Sequence, residues 1–254
     1  MKNNVYLSAA VVTYNDGEKA EKICNQLLEL TKGYRLKLYV FDNSPNDSVS
    51  RLLSNKDGIV LIKNTKNIGF GAAHNKAVEM GLGKYHFVIN PDIEIENDIL
   101  SSVVDFMEQN PDISMLMPKI LNPDRSEQKL PKERPTFKRL FLGRLASYSK
   151  AFEKIRADYI WAHKELTKVT DINFCSGCFF CIRGEIFKEL GGFDERYFMY
   201  LEDADLALSV KKKGRVVIAP QFSVIHQWNR TSNKSLKYLI IHIISSIKFL
   251  LKWR

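Results

Sequence analysis

Three short stretches put carboxylates or amides where an apolar run stops or starts. Asp42 closes the run Leu38–Phe41 and is followed by Asn43. Asn90-Pro91-Asp92 follows Tyr85–Ile89, and Glu202-Asp203-Ala204-Asp205 precedes the apolar-periodic Leu206–Val210. A carboxylate such as Asp42 at a strand end can accept hydrogen bonds from a base or sugar, or simply form a turn; read alone, it leaves both open. Asp92, set beside a diphosphate, would suit Mg²⁺ or Mn²⁺, which favour oxygen donors and commonly take only one or two protein carboxylates. In the third stretch, capping and the helix dipole would employ at least one acid. Another, aimed into a cleft, could act as general base on a hydroxyl.

The stretch Asn67-Ile68-Gly69-Phe70-Gly71-Ala72-Ala73-His74-Asn75 begins like a dinucleotide fingerprint, but His74 stands at the third glycine position and the stretch follows a third strand, not a first. Glycines opening a helix still let a ligand approach the backbone and favour anions at the helix start. Cys175, Cys178 and Cys181 form a C-x-x-C-x-x-C run that could suggest a metal or iron–sulfur site. No fourth ligand lies nearby, and the flanking Phe174, Phe179, Phe180 and Ile182 read as a buried strand, so these thiols are expected in the core. His226 follows the strand-like Phe222–Ile225, and alone it carries no assignment.

These residues need a scaffold, and the first half of the chain supplies one. Leu7–Thr13, Leu38–Phe41, Val60–Ile62 and Tyr85–Ile89 read as strands, alternating with helical spacing over Glu18–Leu30 and from about Gly71. This βαβα order predicts an α/β fold with a mostly parallel central sheet flanked by helices. Ligands in such sheets bind beyond the carboxyl ends of the strands, where the polar motifs fall. From about 122 to 168 the pattern loosens into a basic stretch with Pro123, Pro131 and Pro135 among Phe137, Leu140, Phe141, Leu142 and Leu145. It reads as an insertion that covers a site or touches a membrane, or equally as a solvated arm. Phe174–Ile182 and Val216–Ala219 read as further strands.

The 254 residues are 45% hydrophobic and 26% charged, ordinary for a globular chain, but the formal net charge is +9. That excess favours an anionic partner: nucleic acid, phosphorylated substrate or acidic lipid. No basic stripe with stacking residues and no groove-reading helix marks the first half, so nucleic acid is not expected. The start of the chain lacks a signal-peptide pattern, so the sequon Asn229-Arg230-Thr231 carries no weight.

Taken together and in order, Val11-Val12-Thr13-Tyr14-Asn15, Asp42-Asn43-Ser44, Asn67–Asn75, Asn90-Pro91-Asp92, Ser176-Gly177 and Gly191-Gly192-Phe193-Asp194 leading to Glu202-Asp203 resemble the inverting family-2 glycosyltransferases of GT-A fold. The wording of Asn90-Pro91-Asp92 and Phe198-Met199-Tyr200-Leu201-Glu202-Asp203 is most similar to bacterial rhamnosyltransferases of cell-surface polysaccharide synthesis. The resemblance implies that Thr13, Tyr14, Asn15, Asp42 and Asn43 hold the nucleoside. Gly69, Phe70 and Asn75 would border the nucleotide-sugar, with Asn90 and Asp92 at its diphosphate. Asp92 and His226 would hold Mg²⁺ or Mn²⁺, Asp203 would be the base with Glu202 beside it, and Ser176 and Gly177 would line the acceptor side. It further implies a dTDP-L-rhamnose donor and a lipid-diphosphate-linked glycan acceptor; a UDP-hexose or UDP-galactofuranose enzyme and a non-catalytic nucleotide-sugar scaffold are the alternatives. Two positions depart from the family pattern: Asn90 replaces the first acid of the metal motif, and Ser209 stands where many relatives carry Arg, so that a diphosphate contact is either missing or supplied by Lys211, Lys212 or Lys213.

Residues 1–233 are therefore expected to form the catalytic domain and 234–254 an appended helix. In a helix, Leu239, Ile240, Ile243, Ile244, Ile247, Leu250 and Leu251 share one face, opposite Lys237, His242, Ser245, Ser246, Lys248 and Lys252, with no acid present. Such a helix lies on an anionic membrane surface, or packs on the domain or on a second subunit. The expected location is the cytoplasmic face of a bacterial membrane, peripherally attached.

Overall fold

The computed structural model describes residues 6–130, 133–142, 149–227 and 236–254. Pro131, Leu145, the sequon and the domain boundary near residue 233 lie outside them. In chain order the elements are β1 (Tyr6–Thr13), α1 (Gly17–Leu30), β2 (Arg35–Asp42), α2 (Ser48–Leu53), β3 (Ile59–Lys63), α3 (Phe70–Met80), β4 (Tyr85–Ile89), β5 (Ile93–Glu94), α4 (Ile99–Gln109), β6 (Ile113–Leu121), α5 (Phe137–Phe141), α6 (Lys150–Tyr159), β7 (Thr170–Asp171), β8 (Phe179–Arg183), α7 (Gly184–Glu189), α8 (Glu202–Val210), β9 (Arg215–His226) and α9 (Leu236–Lys252).

Strand side chains alternate across the sheet with the period of two that extended backbone imposes. Leu7, Ala9 and Val11 of β1, Leu38 and Val40 of β2, and Tyr85, Phe87 and Ile89 of β4 share one core. Ala10, Tyr39 and Phe41 point to the other face, onto Ala73 and Ala77 of α3. Helix α1 meets the first core with Ala20, Ile23, Cys24 and Leu27, spaced three and four apart on one stripe.

The sheet order is β3-β2-β1-β4-β8-β6-β9-β5, with β7 on β9. The pairings among β3, β2, β1 and β4 are parallel, as the βαβα reading predicts. Beyond β4 the sheet is mixed: β8 runs antiparallel to both β4 and β6, while β6 and β9 pair in parallel. The long strand expected over Phe174–Ile182 is shorter, because only Phe179–Arg183 joins the ladder. Residues 174–178 leave it as a loop, and Gly177 there lies so close to Phe70 and Asp203 that a Cβ would sit 3.1 Å from the Phe70 ring.

Cys175 joins one core cluster, while Cys178 and Cys181 join another, and the three do not form a group suited to a metal. Burial pushes Cys178 up to about 12 and raises Cys175 and Cys181 well above the ordinary thiol range. They are protonated packing residues. No helix among the described residues is long and apolar enough to cross a membrane.

Helix α9 forms as its pattern predicts, but its orientation is the reverse of a simple amphipath. Ser245, Ser246 and Phe249 are buried against the domain, while Leu239, Ile240, Ile243, Ile244, Ile247 and Leu251 are exposed. Phe249 packs with Leu140, Phe174, Tyr197, Leu201 and Ala204, joined by Phe141, Tyr159, Leu250 and Trp253. The basic insertion and the tail thus share one apolar cluster beside α8. The insertion is no solvated arm at this point.

Candidate active site

The parallel strands deliver polar groups to one end of the sheet. Register pairs Thr13 with Asp42 at the ends of β1 and β2. Thr13 Oγ1 and Asp42 Oδ2 are buried with no partner within the protein, while the other Asp42 oxygen accepts from Ser44 N at 2.8 Å. Buried polar atoms in native proteins are almost always satisfied, so an orphaned hydroxyl and carboxylate oxygen at adjacent strand ends are the signature of a polar ligand site. Asn43 carries the network inward: its Nδ2 donates to Gly69 O at 3.2 Å and its Oδ1 accepts from Asn64 at 2.8 Å. Asn15 takes a positive φ of 60° with its N–H donating to Ser44 Oγ at 2.8 Å, and Tyr14 beside it is 47% exposed. The exposed ring is available to a planar ligand.

The corner before α3 is clipped to the loop that precedes α8. Gly69 has φ +94°, and a Cβ there would lie 2.4 Å from Phe198 O; Phe70 N donates to the same carbonyl at 3.1 Å. Only glycine fits this approach. Asn75 is buried with both polar atoms engaged: Oδ1 accepts from Phe193 N at 2.7 Å, and Nδ2 donates to Phe193 O at 2.8 Å and Glu195 at 3.0 Å. Its side chain fixes the Gly192-Phe193 turn, so what it can offer a donor is the position of that turn.

The loop reaches α8 through Tyr200 and Leu201, both at positive φ (72° and 66°). Two consecutive left-handed non-glycine residues are uncommon and carry strain of the kind that clusters at functional sites. They swing the start of α8 so that its three acids separate. Asp205 is buried and holds α9: Lys252 Nζ at 2.7 Å, Trp253 Nε1 at 2.6 Å and the Tyr197 hydroxyl at 3.3 Å all donate to it. Glu202 is buried, and desolvation together with the Asp203 charge raises it well above the usual carboxylate range. Asp203 is half-buried. Its Oδ2 accepts from Gly177 N at 3.0 Å and its Oδ1 from Ala204 N at 2.8 Å. These contacts orient the carboxylate.

Ser176 lies next to this contact, its Oγ within 3.5 Å of Cys178 N, so Ser176, Gly177, Phe70 and Asp203 come together. A residue the sequence did not single out joins them: Tyr159, at the end of α6. Burial and the neighbouring Asp203 charge hold its hydroxyl well above the ordinary phenol range.

Asp92 and His226 meet across β5 and β9. Ile93 pairs with His226, Gln227 N donates to Asp92 O at 2.9 Å, and His226 Nε2 lies 3.3 Å from Asp92 Oδ1. Burial would raise Asp92, but its interaction with His226 more than offsets this and holds it below the usual range. Asn90 is two residues away, its N–H donating to Cys178 O at 2.8 Å. One carboxylate and one imidazole nitrogen facing each other fit a divalent cation completed by phosphate oxygens and water. No group of three or more His, Cys, Asp or Glu side chains suited to a metal occurs among the described residues, so a cation here would depend on its ligand.

The lysines expected near a diphosphate are elsewhere. Lys211 donates to Asn173, Lys213 to Glu189, and Lys212 sits over the Trp253 ring, all at the far end of α8, roughly 12 Å along the helix from Asp203. Ser209 Oγ donates to Asp205 O at 2.9 Å. Lys19, in the first turn of α1, is instead close enough for its charge to act on Asp92.

The family model described as glycosyl transferase family 2 matches residues 8–191, which spans every strand-end motif up to Gly191. The chain belongs to glycosyl transferase family 2. Among family members it is similar to the N-acetylglucosaminyl-diphospho-decaprenol L-rhamnosyltransferase of Mycobacterium tuberculosis, at 25% identity over 261 residues covering 96% of this chain and 83% of the relative. It is also similar to rhamnosyltransferase WbbL of Escherichia coli, at 25% identity over 270 residues covering 96% of this chain and 92% of the relative. The mannosyltransferase PcManGT from Pyrobaculum calidifontis, solved with GDP-Man and Mn²⁺, superposes with a TM-score of 0.63 at 15% identity, over 97% of this chain and 65% of that one. The fold is therefore that of the GT-A glycosyltransferases, and the protein is a glycosyltransferase.

Proposed function

We propose that the protein transfers L-rhamnose, with inversion, from dTDP-L-rhamnose to a hydroxyl of a lipid-diphosphate-linked glycan in the synthesis of O-antigen, capsule or cell-wall polysaccharide. The observation that carries this is Asp203. Of the three acids at the start of α8 it alone is half-buried, held by two backbone N–H groups against Gly177, while Glu202 is buried with its ionisation raised well above the usual carboxylate range and Asp205 is committed to α9. The rhamnosyl donor and the lipid-linked acceptor are favoured by the two similar rhamnosyltransferases.

In this reading the orphaned Thr13 and Asp42 atoms, with Asn43, Tyr14 and Asn15, receive the nucleoside, and Gly69 and Phe70 form the wall along the sugar. Asp203 accepts the proton of the acceptor hydroxyl as its oxygen bonds to the anomeric carbon and the bond to the nucleoside diphosphate breaks. One displacement inverts that carbon. Asp92 and His226 would hold Mg²⁺ or Mn²⁺, which when bound supplies positive charge to the departing diphosphate. Lys19, paired with Asp16 at 3.1 Å, adds positive charge on the same side. Ser176, Gly177 and Tyr159 border the acceptor.

The membrane reading draws support from α9. Its aliphatic residues are exposed together along one side, and no acid occurs from 236 to 254. A helix so placed would rest on the cytoplasmic leaflet, where a lipid-linked acceptor is anchored. The test is nucleoside-diphosphate release from a panel of nucleotide-sugars with and without a lipid-linked acceptor extract. Acceptor-dependent release from dTDP-rhamnose is expected. Release only from a UDP-sugar would overturn the donor, and donor binding without turnover across all acceptors would favour a scaffold.

A further inference from the structure

Gln128 lies in the loop after β6, outside every motif, and yet it is only 6% exposed. Its N–H donates to Ile120 O at 2.9 Å, which extends the β6 edge and turns the side chain toward the end of β9. There the amide grips one residue twice: Nε2 donates to His226 O at 2.9 Å, and Oε1 meets His226 Nδ1 at 3.0 Å. Nε2 also approaches Leu121 O at 3.5 Å. Reversing the amide would aim its oxygen at these carbonyls, so the orientation is fixed. The ring nitrogen facing Oε1 must then carry the hydrogen.

That proton position has a consequence at the other nitrogen. With the hydrogen fixed on Nδ1, it is Nε2 that faces Asp92 Oδ1, 3.3 Å away, and what lies between the two must be positive: a proton, which gives the interaction that lowers Asp92, or a metal cation. A lone pair opposite a carboxylate oxygen is attractive only when positive charge lies on or between them. A cation bound by both atoms meets that requirement, and a ligating imidazole characteristically donates its second N–H to an amide or carboxylate oxygen.

We propose that Gln128 is a positioning residue which fixes the ring and tautomer of His226, so that Nε2 and Asp92 bind a divalent cation carrying the donor diphosphate. This rests on the assignment of Asp92 and His226 to that cation. It adds the residue that makes the pair competent. Gln128 does not touch substrate; it acts through His226, and removing its acceptor oxygen frees the ring to rotate or to protonate Nε2.

The experiment measures Mn²⁺ binding to the whole protein with dTDP present, using the electron paramagnetic resonance of free Mn²⁺ for affinity and pulsed spectra for directly bound ¹⁴N. The wild type should bind with a nitrogen coupling. Gln128→Leu and the volume-matched Gln128→Met should bind about 10- to 100-fold more weakly and lose that coupling. Gln128→Glu keeps an acceptor for Nδ1–H and should keep both within about threefold. In a His226→Asn background the Gln128→Met change should have no further effect, because its action passes through that ring. A merely structural role would lower thermal stability without removing the nitrogen coupling. Wild-type affinity and coupling in either apolar variant overturn the proposal, as does binding by the wild type without nitrogen, which would leave His226 and Asp92 a plain ion pair. If the wild type binds no Mn²⁺ at all, the cation assignment fails with it, independently of turnover.

Discussion

Replacing Asp205 with alanine tests whether the acids at the start of α8 have separate jobs. Asp205 is buried, and it accepts from Trp253 Nε1 at 2.6 Å and the Tyr197 hydroxyl at 3.3 Å while pairing with Lys252 at 2.7 Å. Alanine would leave two neutral donors without their acceptor, the buried Tyr197 hydroxyl and the half-buried Trp253 Nε1, at about 1–3 kcal/mol each with Trp253 at the low end. Lys252 would keep Asp194 at 2.8 Å and its side chain is 29% exposed, so the ionic loss falls at the low end. The sum is about 3 kcal/mol, equivalent to a melting temperature lower by roughly 6–12 °C for a chain of this size. Thermal unfolding followed by circular dichroism measures it. Turnover at a temperature where the variant stays folded should fall less than about tenfold, because Asp203 and its two backbone donors are untouched, whereas loss of a general base typically costs about 10²–10⁴. An unchanged melting temperature would refute the clamp. A stable variant as inactive as Asp203→Asn would make Asp205 a reacting group.

His74 and His86 are fully buried, and burial lowers His74 well below 6.5 and His86 to about 3. The unfolded chain protonates each near pH 6.5 while the native protein does not, so this stability is complete above that pH and declines as pH falls. Between pH 7 and pH 5 His86 alone costs about 2 kcal/mol, and urea unfolding that is flat over this range would contradict the burial of both rings. Gly69→Ala, at φ +94° with its Cβ 2.4 Å from Phe198 O, should lose about 1–3 kcal/mol and weaken nucleotide binding in calorimetry; wild-type values would show the corner to be slack. Glu202→Gln should retain most turnover near neutral pH, because glutamine matches the shape of a protonated glutamate; a loss as large as that of Asp203→Asn would show that its proton moves.

The parallel half of the sheet was legible because each strand is an apolar run closed by a turn or a polar motif, as at Tyr85–Ile89, and the motifs fell where such strands end. The antiparallel insertion of β8 was not, since the apolar residues of Phe174–Ile182 continue on both sides of Ser176-Gly177 and periodicity cannot see that the chain leaves the ladder there, with Gly177 packed against Phe70 and Asp203. The tail showed its two faces, but not which one packs. Apolar content favoured the aliphatic side. Phe249, Trp253 and the Lys252–Asp205 pair on the polar side decided the matter, because their partners Tyr197, Leu201 and Asp205 lie about fifty residues away in sequence. Gln128 left no local signal at all, being one amide in a polar loop whose meaning comes from a histidine 98 positions later.

The most direct measurement of the central claim is the anomeric configuration of the product, read by NMR coupling constants, from wild-type protein and from Asp203→Asn under the same conditions. Single displacement with Asp203 as base predicts an inverted linkage from the wild type. It predicts turnover lower by about 10²–10⁴ in Asp203→Asn, with donor affinity within a few-fold of normal. A retained configuration, or an Asp203→Asn variant that turns over at close to the wild-type rate, would contradict it.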